Sequence, residues 1–314
     1  MNKIPGKQLL KLVIMRFFTS PFCRTFVNTI VPIIVSIYFL EYNENIKWTW
    51  YIPVVVIILG ITIFNIFAEY LLAKEKKELE YMDLLKQCYR NQSAINRRSA
   101  SKIYRLNKVI TKHLKNNKPI EKLVFDKVAD FNTISFDICN SIYQMIENKF
   151  GEQTECEVTV YQSTNKGISM IAFANRRNEP PTSYNTTYKK SDNKYLFLKL
   201  FDNLNAQIFV CPNKESVQNN FTWIEGSDIR EKKICQYIGI PLKTDRNKIE
   251  LLLQIDVSKP NIFGKTKKEV TKIAENLFYP YVVLLNKAYE RDLIFDGYYD
   301  IIIEKLCVKR EKNS

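Results

Sequence analysis

Histidine is almost absent from this sequence. The chain has 314 residues and a single histidine, His113, which removes multi-histidine metal sites and leaves little for a histidine-based triad. Glycine is scarce as well. The eight glycines are never closer than 13 positions, so neither GxGxxG nor GxxxxGK occurs and two common phosphate-cradling loops are excluded. The seven cysteines are odd in number and show no CxxC spacing, which argues for reduced, mostly buried thiols rather than a disulfide frame or a zinc site. Most common enzyme chemistry is thereby absent, and no catalytic residue, metal or cofactor is expected.

What is abundant is positive charge: 47 Lys+Arg against 33 Asp+Glu, a net +14. A charge of that size raises nucleic acid or an anionic membrane as the partner. Its distribution decides between them. Residues 1–24 carry +5, 25–83 carry −3, 84–120 carry +10 with no acid at all, and the remaining 121–314 carry only +2. The excess flanks one hydrophobic region.

That region holds two apolar stretches. The clearer, Trp50 to Ala73, contains VVVIILGITIFNIF, enough to cross a hydrocarbon core that needs roughly 20 apolar residues. Trp48, Trp50 and Tyr51 stand at its outer end, where an aromatic belt lies. The other, about 22–40, is rich in Phe and Ile but interrupted by Arg24, Thr25, Asn28 and Pro32. Only Glu41 to Thr49 joins the two, so a tight transmembrane hairpin is expected over 22–40 and 50–73. The Lys/Arg bias then places both termini in the cytoplasm, a multi-pass arrangement in the inner (plasma) membrane. Ahead of it, Leu9, Leu10, Val13, Ile14, Phe17 and Phe18 recur as the stripe of an interfacial amphipathic helix. The first region is therefore 1–73.

From 74 to 119 runs a basic connector. No proline stands between Pro53 and Pro119, so the second apolar helix can continue through it. Leu84, Leu85, Cys88, Ile95, Ile103, Leu106, Ile110 and Leu114 recur at helical spacing and hint at self-association, while Asn91–Ser93 and Ser99–Ser101 weaken the seam. Ten cations here suit either the anionic inner leaflet, at about 1 kcal/mol each, or phosphate contacts with nucleic acid. Only Tyr89 and Tyr104 interleave with them and no reader motif is present, so the leaflet is favoured and no nucleic acid is expected.

Beyond residue 120 the pattern changes to α+β. A helix within 120–149 precedes a hairpin, CEVTVYQ and ISMIAFA, with its turn at Ser163–Gly167. A polar loop, 175–190, leads to the helical YLFLKLFDNL, a short strand QIFVC and an irregular excursion, 212–234. CQYIGIPLK and IELLLQIDV form a second hairpin around TDRNK. A long helix from Lys265 to Arg291 should be kinked by Pro280, and a further apolar helix, 293–308, opens the C-terminal tail, 293–314.

The run YIGIPLKTDRNKIELLLQIDVSKPNIFGKTKKEVTKIAENLFYPYVVLLNKAYE resembles the C-terminal half of a GAF domain, and the resemblance extends over about 120–290. It implies a central antiparallel sheet with flanking helices over 120–292, packed as a homodimer or higher homo-oligomer. The Asn-Lys-Phe-Asp-Glu set of cyclic-nucleotide-binding members is not present: Asn213, Lys214 and Phe221 occur without a following Asp-Glu pair. The resemblance places a ligand between the sheet and the excursion. It points to Phe221, Trp223, Asp228, Arg230 and Tyr237, covered by Arg176, Tyr184 and Lys189. Such rings and charges suit a planar anion such as a nucleotide, and equally a set of core rings with solvated charges. The whole layout is similar to bacterial anti-phage effectors that join two membrane helices to a nucleotide-sensing domain. Expected, then, is a non-enzymatic membrane sensor or effector signalling through its hairpin. The alternative is a membrane scaffold whose degenerate domain binds a protein.

Overall fold

The computed structural model describes residues 17–41, 51–116, 131–151, 153–189, 195–202, 207–214, 234–243 and 248–311. The chain divides into two compact units, Met1–Asp83 and Leu84–Ser314.

In the first unit a helix starts behind the cap Ser20, whose Oγ accepts from Cys23 N at 3.1 Å. It runs as α1 (Pro21–Thr25), a wider π turn (Phe26–Ile30) and α2 (Val31–Glu41). The π turn has a cause in the sequence. Pro32 has no N–H to give and its ring crowds the carbonyl four residues back, and widening the preceding turn relieves both. The neighbouring helix α3 (Tyr51–Lys115) is 65 residues long and begins in this unit. Asn28 and Asn65 exchange two amide hydrogen bonds, 3.1 and 2.7 Å, and Phe18 packs its ring on Phe64 and Phe67.

Here the expected two-helix transmembrane hairpin is corrected. Among the described residues one helix, α3, is long and apolar enough to cross a membrane, whereas the first stretch yields only the shorter apolar helix Pro21–Ile37. Arg24, Asn28 and Pro32 interrupt the apolar run of that first helix. The multi-pass location falls with the hairpin, and so does the likeness in layout to two-helix anti-phage effectors. The aliphatic side chains of α3 are outward: Ile52, Val55, Val56, Ile58, Leu59, Ile63 and Ile66 are all exposed. A core helix would bury them. The expected amphipathic helix lies mostly outside the described residues.

The second unit is built on a six-stranded antiparallel sheet. Its strands are β1 (Cys156–Thr164), β2 (Gly167–Asn175), β3 (Thr187–Tyr188), β4 (Phe209–Cys211), β5 (Gln236–Lys243) and β6 (Ile249–Val257). The order is β3-β2-β1-β6-β5-β4. Both expected hairpins are there, with Thr164 opposite Gly167 and Ile240 opposite Leu253. The edge strand β3 comes from the stretch expected to be loop. Two residues flanked by Thr and Lys are too short for any alternation to show.

Helix α4 (Phe131–Phe150) covers β1 and β2 with Ile134, Ile138, Ile142, Met145 and Ile146, a stripe at three-to-four-residue spacing. The short helix α5 (Leu196–Asp202) lies on β5 and β6. The C-terminal helix is α6 (Lys267–Ile273), a π turn (Ala274–Phe278) and α7 (Tyr279–Glu311). Its start is a capping box: Thr266 Oγ1 accepts from Glu269 N, and Glu269 Oε2 accepts from Thr266 N. The kink expected at Pro280 takes the form of this second π turn, the same physics as at Pro32. The helix expected at 293–308 is a continuation of α7 rather than a separate element.

The part of α3 within this unit is unbroken, despite the two polar clusters that weaken its pattern. Its inward residues explain why. Cys88 Sγ donates to Leu277 O at 3.0 Å, Ser99 Oγ accepts from the Arg291 guanidinium, and Ile95 and Leu106 are buried. Ser99 interrupts the apolar stripe and still serves as a packing partner. The cations Lys86, Arg90, Arg97, Arg105, Lys108, Lys112 and Lys115 are exposed on the same helix.

Candidate functional site

Two places in the second unit combine chemistry with geometry. The first is the side of the sheet under α5. Tyr161, Phe173, Tyr188, Tyr195, Phe197, Phe201 and Tyr237 form one buried cluster, with Tyr184 and Phe209 packed against it. Phe197 stacks on Tyr161 at 4.6 Å between centroids and meets Tyr188 edge-on at 5.1 Å. Gly239 allows the close approach of α5: a Cβ there would stand 2.7 Å from Leu200 Cδ1 and 2.9 Å from the Tyr237 hydroxyl. The protein's own rings fill this side of the sheet. The expected ligand position, between the sheet and the excursion, involves residues outside the described ones.

The residues named for that ligand are distributed as follows. Tyr237 is buried in the cluster, and its phenol is pushed well above its ordinary value by burial and by Asp256. Tyr184 is half-buried, edge-on to Phe173 at 5.1 Å. Lys189 is exposed just after β3. Arg176 is exposed in the turn after β2, and lines the second place described next. Phe221, Trp223, Asp228 and Arg230 lie outside the described residues.

The second place is a polar cleft of about 600 Å³. Helix α3 supplies Asn91, Ala94, Ile95 and Arg98, helix α4 supplies Asp137, Asn140, Ser141, Tyr143, Gln144 and Glu147, and the turn after β2 supplies Asn175, Arg176 and Asn178. The α4 residues fall at i, i+3, i+4, i+6, i+7 and i+10, the polar side of a helix whose other side is core. Arg98 Nη1 and Asp137 Oδ2 are 3.4 Å apart, an ion pair with the Arg98 side chain 70% exposed. Pairs that open to solvent contribute about 0–1 kcal/mol. The Tyr143 hydroxyl donates to Glu147 Oε1 at 2.8 Å. Burial and this neighbouring carboxylate both hold the phenol protonated, above its ordinary range. Asn175 fixes the turn: its Nδ2 donates to Glu179 O at 2.8 Å and its Oδ1 accepts from Glu179 N at 3.3 Å. Asn178 there adopts the left-handed region, φ 52°, which asparagine tolerates.

Sequence reasoning found only Arg176 of this cleft. Its three walls come from positions near 91–98, 137–147 and 175–178, and nothing local links them. The one available signal was the polar stripe on α4.

Among the described residues no three His, Cys, Asp or Glu side chains come together as a metal site. His113, half-buried, sits in the last turn of α3. Cys211 is buried and Cys235 is half-buried, its Sγ donating to Ser258 O at 3.0 Å. Burial pushes the Cys88 and Cys211 thiols up to about 11, and Cys139 higher still. These thiols hold their protons more tightly folded than unfolded, where the value is 9.0. Their contribution to stability is therefore flat below about pH 9 and falls as pH rises from 9 toward 11. The urea midpoint of the full chain in detergent should drop between pH 8 and pH 10.5. Disulfide-exchange labelling at pH 8 should leave Cys88, Cys139 and Cys211 protected until denaturant is added. Labelling of all three at the rate of a free thiol would contradict the assignment.

A central antiparallel sheet with helices against it is the architecture that the resemblance over about 120–290 implied. No family model matches the chain, and no curated protein matches it. Solved structures do. A free methionine-R-sulfoxide reductase from Thermoplasma acidophilum is 12% identical over 52% of this chain and 95% of its own, with a TM-score of 0.35. The PixJ GAF domain from Thermosynechococcus elongatus is 13% identical over 55% and 96%, with a TM-score of 0.35. A GAF domain/HD domain protein from Geobacter sulfurreducens is 10% identical over 52% and 97%, with a TM-score of 0.36. Likenesses of that degree assign neither a ligand nor an activity to this chain.

Proposed function

We propose that this chain is a non-catalytic, membrane-attached sensory protein. Its GAF-like domain takes a small ligand such as a nucleotide, and the consequence travels through α3. One observation carries the reading. Helix α3 is a single element whose N-terminal part exposes an aliphatic surface and whose C-terminal part packs into the sensory domain through Cys88, Ile95, Ser99 and Leu106. A ligand shifts such a system only by binding one arrangement of α3 better than another. The exposed cations of 86–115 suit the anionic inner leaflet, and a second copy of the chain is the natural partner for the exposed Tyr89 and Tyr104.

The scaffold alternative has one observation in its favour, the filling of the sheet's α5 side by the protein's own rings. Mass spectrometry of small molecules released on denaturing the detergent-purified full chain separates the two. A stoichiometric ligand supports the sensor. A chain that retains none, and whose melting temperature no metabolite extract moves, is a scaffold.

Membrane attachment has its own test. Replacing Ile58 and Ile63, both exposed near the middle of the apolar stretch, with lysine costs about 3 kcal/mol each for a membrane helix centre. The double variant should leave the carbonate-resistant membrane fraction. Its retention there would show that α3 is not the anchor.

A further inference from the structure

The geometry points to the cleft between α3 and α4 as the ligand site of this domain. Its ligand is a small anion carrying adjacent hydrogen-bond donors and acceptors, the chemistry shared by nucleoside phosphates and short peptides. The inference rests on the sensory reading above and deepens it by placing and typing the ligand.

Capacity comes first. The α5 side of the sheet is packed with rings, whereas the cleft offers about 600 Å³, within the roughly 300–1,000 Å³ usual for small-molecule sites. Its lining is then unusually selective. Asn175 is engaged with Glu179 in the turn and Asn91 with Tyr281, while Asn140, Gln144 and Asn178 are carboxamides, each carrying a donor beside an acceptor. They match ligands that present the same pair, such as base edges or peptide groups. Arg98 and Arg176 add two planar guanidinium forks, whose favoured partner is a phosphate or carboxylate held by two parallel bonds. Asp137 and Glu147 accept from amide or amidine N–H groups. Ala94 and Ile95 are the apolar contributors, so a greasy ligand finds little to cover.

The cleft also holds a switch that such a ligand can operate. Arg98 of α3 reaches Asp137 of α4 across 3.4 Å, in a solvent-exposed pair of small net strength. An anion seated on Arg98 exchanges that pair for a charge-assisted contact and touches α3 and α4 together. Binding therefore depends on how these two helices lie against each other, which is the differential affinity a sensor requires.

The experiment uses the full chain in detergent. Two probe sets are applied, a mixture of the four ribonucleoside monophosphates and a mixture of dipeptides, with inorganic phosphate as a simple anion. Binding is read by melting temperature and equilibrium dialysis for the wild type, Arg98→Ala, Arg176→Ala, Asn140→Ala and the turn control Lys166→Ala. The expected result is that one probe set binds, that each cleft variant weakens it at least tenfold, and that Lys166→Ala does not. Gln144→Glu should change which member of the set is preferred, an effect that mere destabilisation does not produce. Four outcomes overturn the inference: neither set binds, phosphate alone binds as tightly, the cleft variants bind normally, or Lys166→Ala weakens binding as much as they do. The sensory reading is judged separately. A different small molecule released from the purified wild type preserves it even when the cleft fails.

Discussion

Gln236→Ala is expected to lower the stability of the C-terminal α+β unit by about 3–4 kcal/mol, a large effect for a single uncharged polar side chain. Gln236 is fully buried at the start of β5 and makes three hydrogen bonds at once. Its Nε2 donates to Pro212 O at 2.8 Å and to Gly264 O at 2.7 Å, and its Oε1 accepts from Phe263 N at 2.9 Å. One amide thus ties the end of β4 and the loop ahead of α6 to the middle of the sheet. Truncation strands the buried Phe263 N–H and removes the donor from two carbonyls. Gln236→Glu distinguishes this account from a simple packing loss. The carboxylate retains the Phe263 contact but faces two carbonyl oxygens, so folding favours its protonated form. With its folded value raised, the variant is most stable below the ordinary carboxylate range near 4.3 and loses stability as pH rises through the raised value. Urea melts at pH 4 and pH 7 should show the Glu variant nearer the wild type at the lower pH. Equal deficits at both would mean that the hydrogen bonds are not what matters at this position.

Gln236 also shows where sequence reading reached its limit. The strand containing it was legible, because QYIGIPLK and IELLLQIDV are apolar runs flanking a polar turn. The role of the one polar residue inside the run was not, since its partners are 24 to 28 positions away. The same division holds elsewhere. Local signals gave both hairpins, α5 and the Pro280 disturbance, all of which depend on spacing within about ten residues. The first apolar stretch was read by overall composition, which gives too little weight to Arg24, Asn28 and Pro32 inside it. The cleft was invisible for the opposite reason. Polar residues on three separate segments look like solvated faces until the fold turns them toward one another. Arg176 alone of the cleft appeared among the expected ligand contacts.

Phe197→Ala should be comparably damaging, about 3–5 kcal/mol, and it bears directly on what the α5 side of the sheet is for. The ring is 4% exposed, stacked on Tyr161, edge-on to Tyr188 and parallel to Tyr195 at 5.9 Å. Neighbours on three sides, themselves buried rings, have little freedom to collapse into the space, so the cavity persists and the cost stays high. Phe197→Leu keeps most of the volume and should cost about 1–1.5 kcal/mol. The cavity makes a further prediction. An apolar void walled by rings stays dry and accepts a small aromatic solute. Saturating benzene should therefore raise the melting temperature of Phe197→Ala and leave the wild type unchanged. That result would establish Phe197 as the group occupying a preformed space on the sheet. A wild type stabilised to the same extent would mean that the space is already open, and that the sheet face as well as the α3–α4 cleft is available to a ligand.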